Sequence, residues 1–387
     1  MIFSVFRWNS STLLELTQPS AAYLYFRKQR LNILTGFMED VPVTQLKSKL
    51  DEISLQQKFS HPHVFHFYYE FGLLEAGQGH LIKEDTPLVL EIEYKKQRKR
   101  SPKKTSLGSI NLQSIERPSW SEYKESFARV QEELLAGNCY QANLTYPFDF
   151  ITEEMLDPRD IVDFFFAQKG TAAYAHATYF GEGLILSNSP ECLFQYKQDE
   201  VFTMPIKGTV KCAPSEFSKK WKLLLADAKE EGELLMITDL LRNDLNRLSN
   251  YQAKVRKLRA PLRAPGLLHQ YSLISAKLSS HVTLAKTMEA LFPGGSITGA
   301  PKKRVMEILS SIERYQRGIY CGSTLLCLGN KKAASINIRT AMVNPEERTW
   351  RYGAGGGVTL LSNPVSEFQE MELKVASFLQ LLKVPGY

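Results

Sequence analysis

Three strand-like segments late in the chain, GIYCGSTLLCLG, AASINIRTAMV and TWRYGAGGGVTLL, follow one another across gaps of turn length. Neighbours of that kind read as a hairpin with a third partner rather than as βαβ units, so the expected fold class is α+β (α/β in the broad sense) with antiparallel sheets. Upstream the pattern is similar. Residues 1–93 read mainly as strands, in AYLYF, HVFHFYYEF and PLVLEIEYK, and further strands are expected at CYQANLTYPF, AAYAHATYF, LILSNSPECLFQY and VFTMPIKG. Ser119 and Glu122 form a capping box ahead of the helical pattern SEYKESFARVQEELLAG, which Gly137 closes. Other helices are expected at EFSKKWKLLLADAKEEGELLMITDLLRNDLNRL, at LAKTMEALF, after Pro301, and at VSEFQEMELKVASFLQLL.

The chain has 387 residues, enough for a substantial core. It divides into a mostly β portion at 1–93, a connector at 94–118 and a catalytic portion at 119–383. Much of the net charge of +7 falls in YKKQRKRSPKK at the start of the connector. These cations are not interleaved with aromatics, so a solvated linker is expected and nucleic acid is not an expected partner. No apolar run approaches the roughly 18 residues of a membrane span, and Arg7 interrupts what would be a signal core. A cytoplasmic protein with no membrane partner is expected. Cys139, Cys192, Cys212, Cys321 and Cys327 are odd in number and irregularly spaced, which suits reduced thiols and argues against zinc.

Several motifs invite readings that their context refuses. His61 and His63 would share a strand face and His66 would oppose them, so the three do not converge on a metal. Cys139 follows a helix and precedes a strand, the reverse of a thiol-nucleophile turn. GAGGGV leads into strand-like VTLL instead of the helix a dinucleotide fingerprint needs, and FPGGSITGAPKKR lacks the ending of a phosphate loop. What remains is anion recognition. Thr298 and Pro301 stand near a helix start with free N–H groups, Gly353, Gly355 and Gly356 let a ligand approach the backbone, and Arg339 offers a planar fork for a carboxylate. Together they suggest a small, doubly anionic substrate.

Glu367, Glu370 and Lys374 are spaced i, i+3, i+7 on one helical face, and Glu233 begins the apolar segment ELLMITDLL. Glu233 is open to i,i+4 pairing with Lys229. Were the two helices to meet, Glu233 and Glu370 would instead make a hard-oxygen site for Mg²⁺. Spacing alone does not choose. Lys207, in PIKGT, follows an apolar run, where burial favours the uncharged amine that a nucleophile or base requires.

From about Trp120 to about Leu382 the segments GNCYQANLT, SPECLF, PIKGT, LLMITDLLRNDL, LFPGGSITGAPKKRVMEIL, RGIYCGS, INIRT and GAGGGV, then EFQEMELK, occur in the order seen in the chorismate-utilising enzymes. The chain resembles that family, and FPGGSITGAPK is its most specific motif. Residues 1–93 resemble the family only loosely. The resemblance implies a large two-lobed sandwich of antiparallel sheets flanked by helices, with chorismate bound between the halves and Mg²⁺ as cofactor. It implies Glu233 and Glu370 as metal ligands, with Glu367 near the metal through water. Arg339 and Tyr320 would grip the enolpyruvyl carboxylate, Gly355 would give a backbone N–H, and Lys374 would face the substrate's carboxylates. Gly208, Thr209 and Thr298 match contacts beside the ring.

Lys207 is where anthranilate-forming members have alanine, so PIKGT resembles the aminodeoxychorismate branch. There the lysine would add to ring carbon C2 as the C4 hydroxyl leaves, with Glu191 as general acid, before ammonia enters at C4. Gln141 replaces the lysine by which isochorismate-forming members activate water, which disfavours water addition. His269 falls where the family often has an active-site histidine. Cys192, Asn138 and Leu234 depart from the usual arginine, aspartate and asparagine. No glutaminase triad is visible, so a separate glutamine amidotransferase subunit is implied as the source of ammonia, and a separate lyase downstream.

Overall fold

The computed structural model describes residues 1–55, 61–103, 105–248, 252–264, 267–279 and 282–387. Its strands form one continuous antiparallel ribbon. From one end the order is Gln113–Glu116, Gln141–Ile151, Thr349–Val358, Thr340–Asn344, Leu184–Ser187, His176–Tyr179 and Phe3–Arg7. It continues through Leu13–Tyr25, Val89–Arg100, His63–Phe67, Ser323–Leu328, Lys331–Ile336, Cys192–Lys197 and Glu200–Met204 to Leu267–Lys277, which Ile206–Lys211 and Lys254–Ala264 flank.

The ribbon doubles back on itself, and three apolar clusters show how. Helices Trp120–Leu135, Pro158–Ala167, Lys302–Ile312 and Pro364–Leu381 cover the outside of the first half, around Phe127, Leu144, Phe165, Trp350 and Val375. Helices Leu46–Leu55, Ala228–Asn246 and Leu284–Leu291 cover the second, around Phe65, Phe67, Ile237, Met288 and Leu325. The inner faces meet over Leu14, Leu16, Val64, Ile92 and Ile185. Strand alternation explains the division, since Phe65 and Phe67 face outward while Val64 between them faces the seam. The result is the expected sandwich of antiparallel sheets with helices outside.

Two neighbouring strands change halves together. Ser187 pairs with Thr340 in the first half, and Cys192 pairs with Ser335 in the second. LILSNSPECLFQY and AASINIRTAMV, each read from sequence as one strand, are therefore each broken in two. The breaks run side by side, joined by Asn188 N–H to Arg339 O at 2.9 Å and Ile336 N–H to Glu191 O at 3.1 Å. Arg339 takes a left-handed turn there, with φ at +52°.

Other elements differ locally from expectation. YYEF belongs to helix Tyr69–Glu75, and the long helix expected from Glu216 is two, parted at Asp227, whose carboxylate accepts from Glu230 N–H. The basic run is not a free linker, because residues 94–100 extend the strand Val89–Arg100 against Leu13–Tyr25. There Arg98 and Arg100 pair with buried Glu15, which fixes part of the charge in place. Ser119 and Glu122 make both bonds of the capping box, and Gly137 follows the helix with φ at +74°. Among the described residues no helix is long and apolar enough to cross a membrane.

Candidate active site

The helix Pro364–Leu381 is capped by Asn363, whose side chain accepts from Val365 and Ser366 N–H. Its apolar face, Met371, Val375, Phe378 and Leu379, lies on the glycine-rich strand, with the rings of Phe378 and Tyr352 stacked at 4.4 Å. That packing turns Glu367, Glu370 and Lys374 toward the end of the sandwich. Helix Ala228–Asn246 buries Leu234, Ile237, Leu241 and Leu245 and presents Glu233 from the adjoining face. Between the two helices, the crossing strands and the glycine strand lies a cavity of about 450 Å³.

Lys207, Gly208, Thr209, Glu191, Tyr320, Arg339, Gly355, Lys374, Glu233, Glu367 and Glu370 all line it. Thr298, Gln141 and His269 do not. The Thr298 hydroxyl is wholly buried and donates to Gly294 O at 2.9 Å, and Ser296 and Ile297 take its place on the wall. Gln141 is buried with both amide atoms unpartnered, behind Gly357. His269 Nδ1 is bonded to the Thr209 hydroxyl at 2.8 Å, and burial, helped by Arg339, pushes its pKa down to about 4. It positions Thr209 as a neutral ring. Sequence gives the strand or loop but not which neighbours fill the layer behind the wall, which is where these three side chains lie.

The carboxylates and lysines are interlocked. Lys207 Nζ donates to Glu233 Oε2 at 3.0 Å, Lys229 Nζ to Glu367 Oε1 at 2.8 Å, and Lys374 Nζ lies 2.9 Å from Glu370 Oε1. Lys229 also stands 3.9 Å from Glu233, so the i,i+4 pairing open in the sequence is present as well. Burial acts to lower the pKa of Lys207, as expected, but Glu233 outweighs it and raises the value. In this state the amine is charged, contrary to the sequence reading. Glu191 behaves differently: burial pushes its carboxyl up to about 7, and the Ser296 hydroxyl, Lys207 and Arg339 pull it back only in part. Burial would also raise Glu370, yet Lys374, with Lys229 and Lys207 farther off, holds it below the ordinary range.

The wall opposite the lysines is backbone. Thr340–Asn344 pairs the glycine strand only as far as Tyr352, so beyond it that edge has no strand neighbour among the described residues and Lys374 Nζ reaches Gly355 O at 2.8 Å. A strand residue's N–H and C=O point the same way, which puts the Gly355 N–H on this side too. At Gly353 a Cβ would come within 2.2 Å of the Tyr320 ring, so the ring can lie flat on the strand only because that residue is glycine.

Sequence reasoning passed over two supports. Arg317, in RGIYCGS, is buried and donates to Ile297 O at 2.9 Å and Asn143 O at 2.7 Å while paired with Glu313, which ties the Tyr320 loop to two cavity walls. The i,i+4 spacing of Glu313 and Arg317 was the available signal. Lys229 was read only as a partner of Glu233. The rejected motifs have plain structural roles: Cys139 is buried in the first core with its thiol raised by burial, and His66 is bonded to Thr324 and Thr178.

The sequence profile of the chorismate binding enzymes matches residues 22–380, and the chain belongs to that family. The match reaches well into the portion whose resemblance is weak by eye. Among curated proteins, the chain is similar to aminodeoxychorismate synthase component 1 of Klebsiella aerogenes, 35% identical over 276 residues, and of Escherichia coli (strain K12), 37% over 270. Both alignments take in 68% of this chain and 58% of the relative, so the chain spans well under two thirds of those proteins. Anthranilate synthase component 1 of Neisseria meningitidis serogroup C is 31% identical over 278 residues, covering 71% of this chain and 56% of its own. Of solved structures, anthranilate synthase component I from Streptococcus pneumoniae TIGR4 superposes with a TM-score of 0.80 at 21% identity, over 96% of this chain and 92% of that one, a likeness of fold.

Proposed function

We propose that this chain is the chorismate-binding component of an aminodeoxychorismate synthase, converting chorismate and ammonia to 4-amino-4-deoxychorismate in the cytoplasm for para-aminobenzoate and folate synthesis. A separate glutamine amidotransferase subunit would supply the ammonia, and a separate lyase would cleave the product. The observation that carries the reading is Lys207 in the wall of a cavity that also holds the protonatable carboxyl of Glu191 and the fork of Arg339. The likeness to aminodeoxychorismate synthase component 1 supports it.

In this reading Arg339 takes the enolpyruvyl carboxylate in a charge-assisted, bidentate grip beside Tyr320 and the Gly355 N–H. The donors for a cofactor fit Mg²⁺ chemically: Glu230, Glu233, Glu367 and Glu370 on two helices line one cavity, and the last three have ammonium nitrogens 2.8 to 3.0 Å from them. Glu233 and Glu370 would hold the ion, with Glu367 close by, and the ion would stabilise negative charge at the ring carboxylate. Among the described residues no three acid, histidine or cysteine side chains are already gathered tightly enough for one ion, so binding requires these lysines to let go.

Lys207 attacks as a neutral amine. Once Glu233 is engaged elsewhere, the strongest influence raising the lysine's pKa is removed, and burial, opposed then by Glu191 and Glu230, favours that form. Its nitrogen forms a bond to C2, the ring double bonds shift, and the C4–O bond breaks as Glu191 gives its proton to the departing hydroxyl, releasing water. Ammonia then bonds to C4 and gives up one proton, which restores the Glu191 carboxyl, the double bonds shift back, and the C2–N bond breaks to return the lysine.

The test is a product assay with chorismate, Mg²⁺ and ammonium. The expected product becomes para-aminobenzoate only when lyase is added. Fluorescent anthranilate as the main product would overturn the reading in favour of anthranilate synthase.

A further inference from the structure

Three lysines face the three glutamates, and two of them have other partners or roles. Lys207 carries the nitrogen proposed to bond to the ring, and Lys374 also donates to Gly355 O at 2.8 Å. The hydrogen-bond and ion-pair partners of Lys229 among the described residues are carboxylates, Glu367 at 2.8 Å and Glu233 at 3.9 Å. Those carboxylates stand on different helices, Pro364–Leu381 and Ala228–Asn246. Lys229 is thus the cation that joins the helices across the cavity.

A divalent ion shared between the same helices would need the space that this ammonium fills, and two cations at that range repel. Lys229 has an escape. It leaves the first turn of its helix, and its side chain is 37% exposed, so the flexible stem can carry the charge into water. We infer that Lys229 is a built-in place-holder for the divalent ion: it holds the two helices together in the metal-free protein, and metal binding exchanges its ammonium for the ion. The inference rests on the metal reading above. It adds that affinity for the ion is set by an internal competitor, and that the cavity does not collapse or splay before loading.

Calorimetric titration of the full chain with Mg²⁺, without substrate and at fixed salt, tests this alongside melting curves. Lys229→Met should bind Mg²⁺ about tenfold more tightly than wild type. It should melt lower without metal and show a larger rise in Tm on adding it. Lys229→Gln serves the same purpose should the methionine variant not fold, and Lys229→Arg, which keeps the charge, should bind no more tightly than wild type. Binding to the wild type with equal or weaker affinity in the neutral variants overturns the place-holder and leaves the metal reading standing. No Mg²⁺ binding by any of the chains overturns both. Binding by the neutral variants alone supports the place-holder strongly.

Discussion

The seam between the half-sheets and the cavity both gather polar side chains, but the seam encloses neutral groups, whereas the cavity is lined by charges that reach solvent at its rim, with Glu370 56% exposed. In the seam Ser4 bonds to Tyr94 and Thr178 at 2.7 Å, His66 bridges Thr178 at 3.0 Å and Thr324 at 2.8 Å, and Thr324 donates to Asn337. Burial keeps the imidazoles uncharged there, His176 with a pKa near 4. In the cavity Glu233, Glu367 and Glu370, three of the five glutamates that line it, each have a lysine. Neutral hydrogen-bonded groups cost little to enclose, whereas each buried ion costs several kcal/mol unless paired. The cavity gathers ion pairs that the described residues of the seam lack, at a place where an ionic ligand can exchange partners with them.

Four variants would break or sharpen that contrast. Lys207→Ala should cost at least about a thousandfold in kcat if its charge belongs to chemistry rather than to folding, measured as product formation at saturating chorismate and ammonium. A rate near wild type would reduce Lys207 to a structural ion. Next, Glu191→Gln should cost about a hundredfold or more. With a carboxyl at about 7, the wild-type kcat should fall as pH rises above 7, because the group that donates the proton is lost, and the glutamine variant should lack that limb. Gly353→Ala should raise KM about tenfold by displacing Tyr320 from the strand, and should lower the Tm as well because the clash reaches the base of that buried side chain.

The smallest effect belongs to the seam. His176 has its folded pKa lowered to about 4 from an ordinary 6.5, so its contribution to stability is complete above pH 6.5 and is lost as pH falls toward 4. The loss amounts to about 3 kcal/mol for this one ring. His176→Gln should therefore flatten stability against pH in that window, read from urea denaturation at several pH values, while product formation at pH 8 stays within about twofold of wild type.

Much of this was legible in the sequence because it depends on local period and on motif. The capping box at Ser119, the three late strands and the shared face of Glu367, Glu370 and Lys374 follow from rules that act over a few residues. Arg339 and Glu191 were found through motif resemblance, though their backbone setting was not. Both sit where a strand changes sheets, and alternation of apolar residues runs straight through such a break. The placement of Thr298, Gln141 and His269 behind the cavity wall was not legible for a related reason. Each is next in sequence to a cavity element, but its side chain belongs to the layer behind. The lysine partners were invisible for another: which ammonium meets which carboxylate is decided by how two helices far apart in sequence come together.

The paired crossing has a consequence for turnover. The Glu191 carboxyl and the Arg339 guanidinium hang from two strand breaks laced to each other by main-chain bonds, which ties them as one jaw. In the proposed reaction, substrate would be traded for product by shifting the helices that carry lysines and glutamates, while the distance between acid and fork stays set by the sheet.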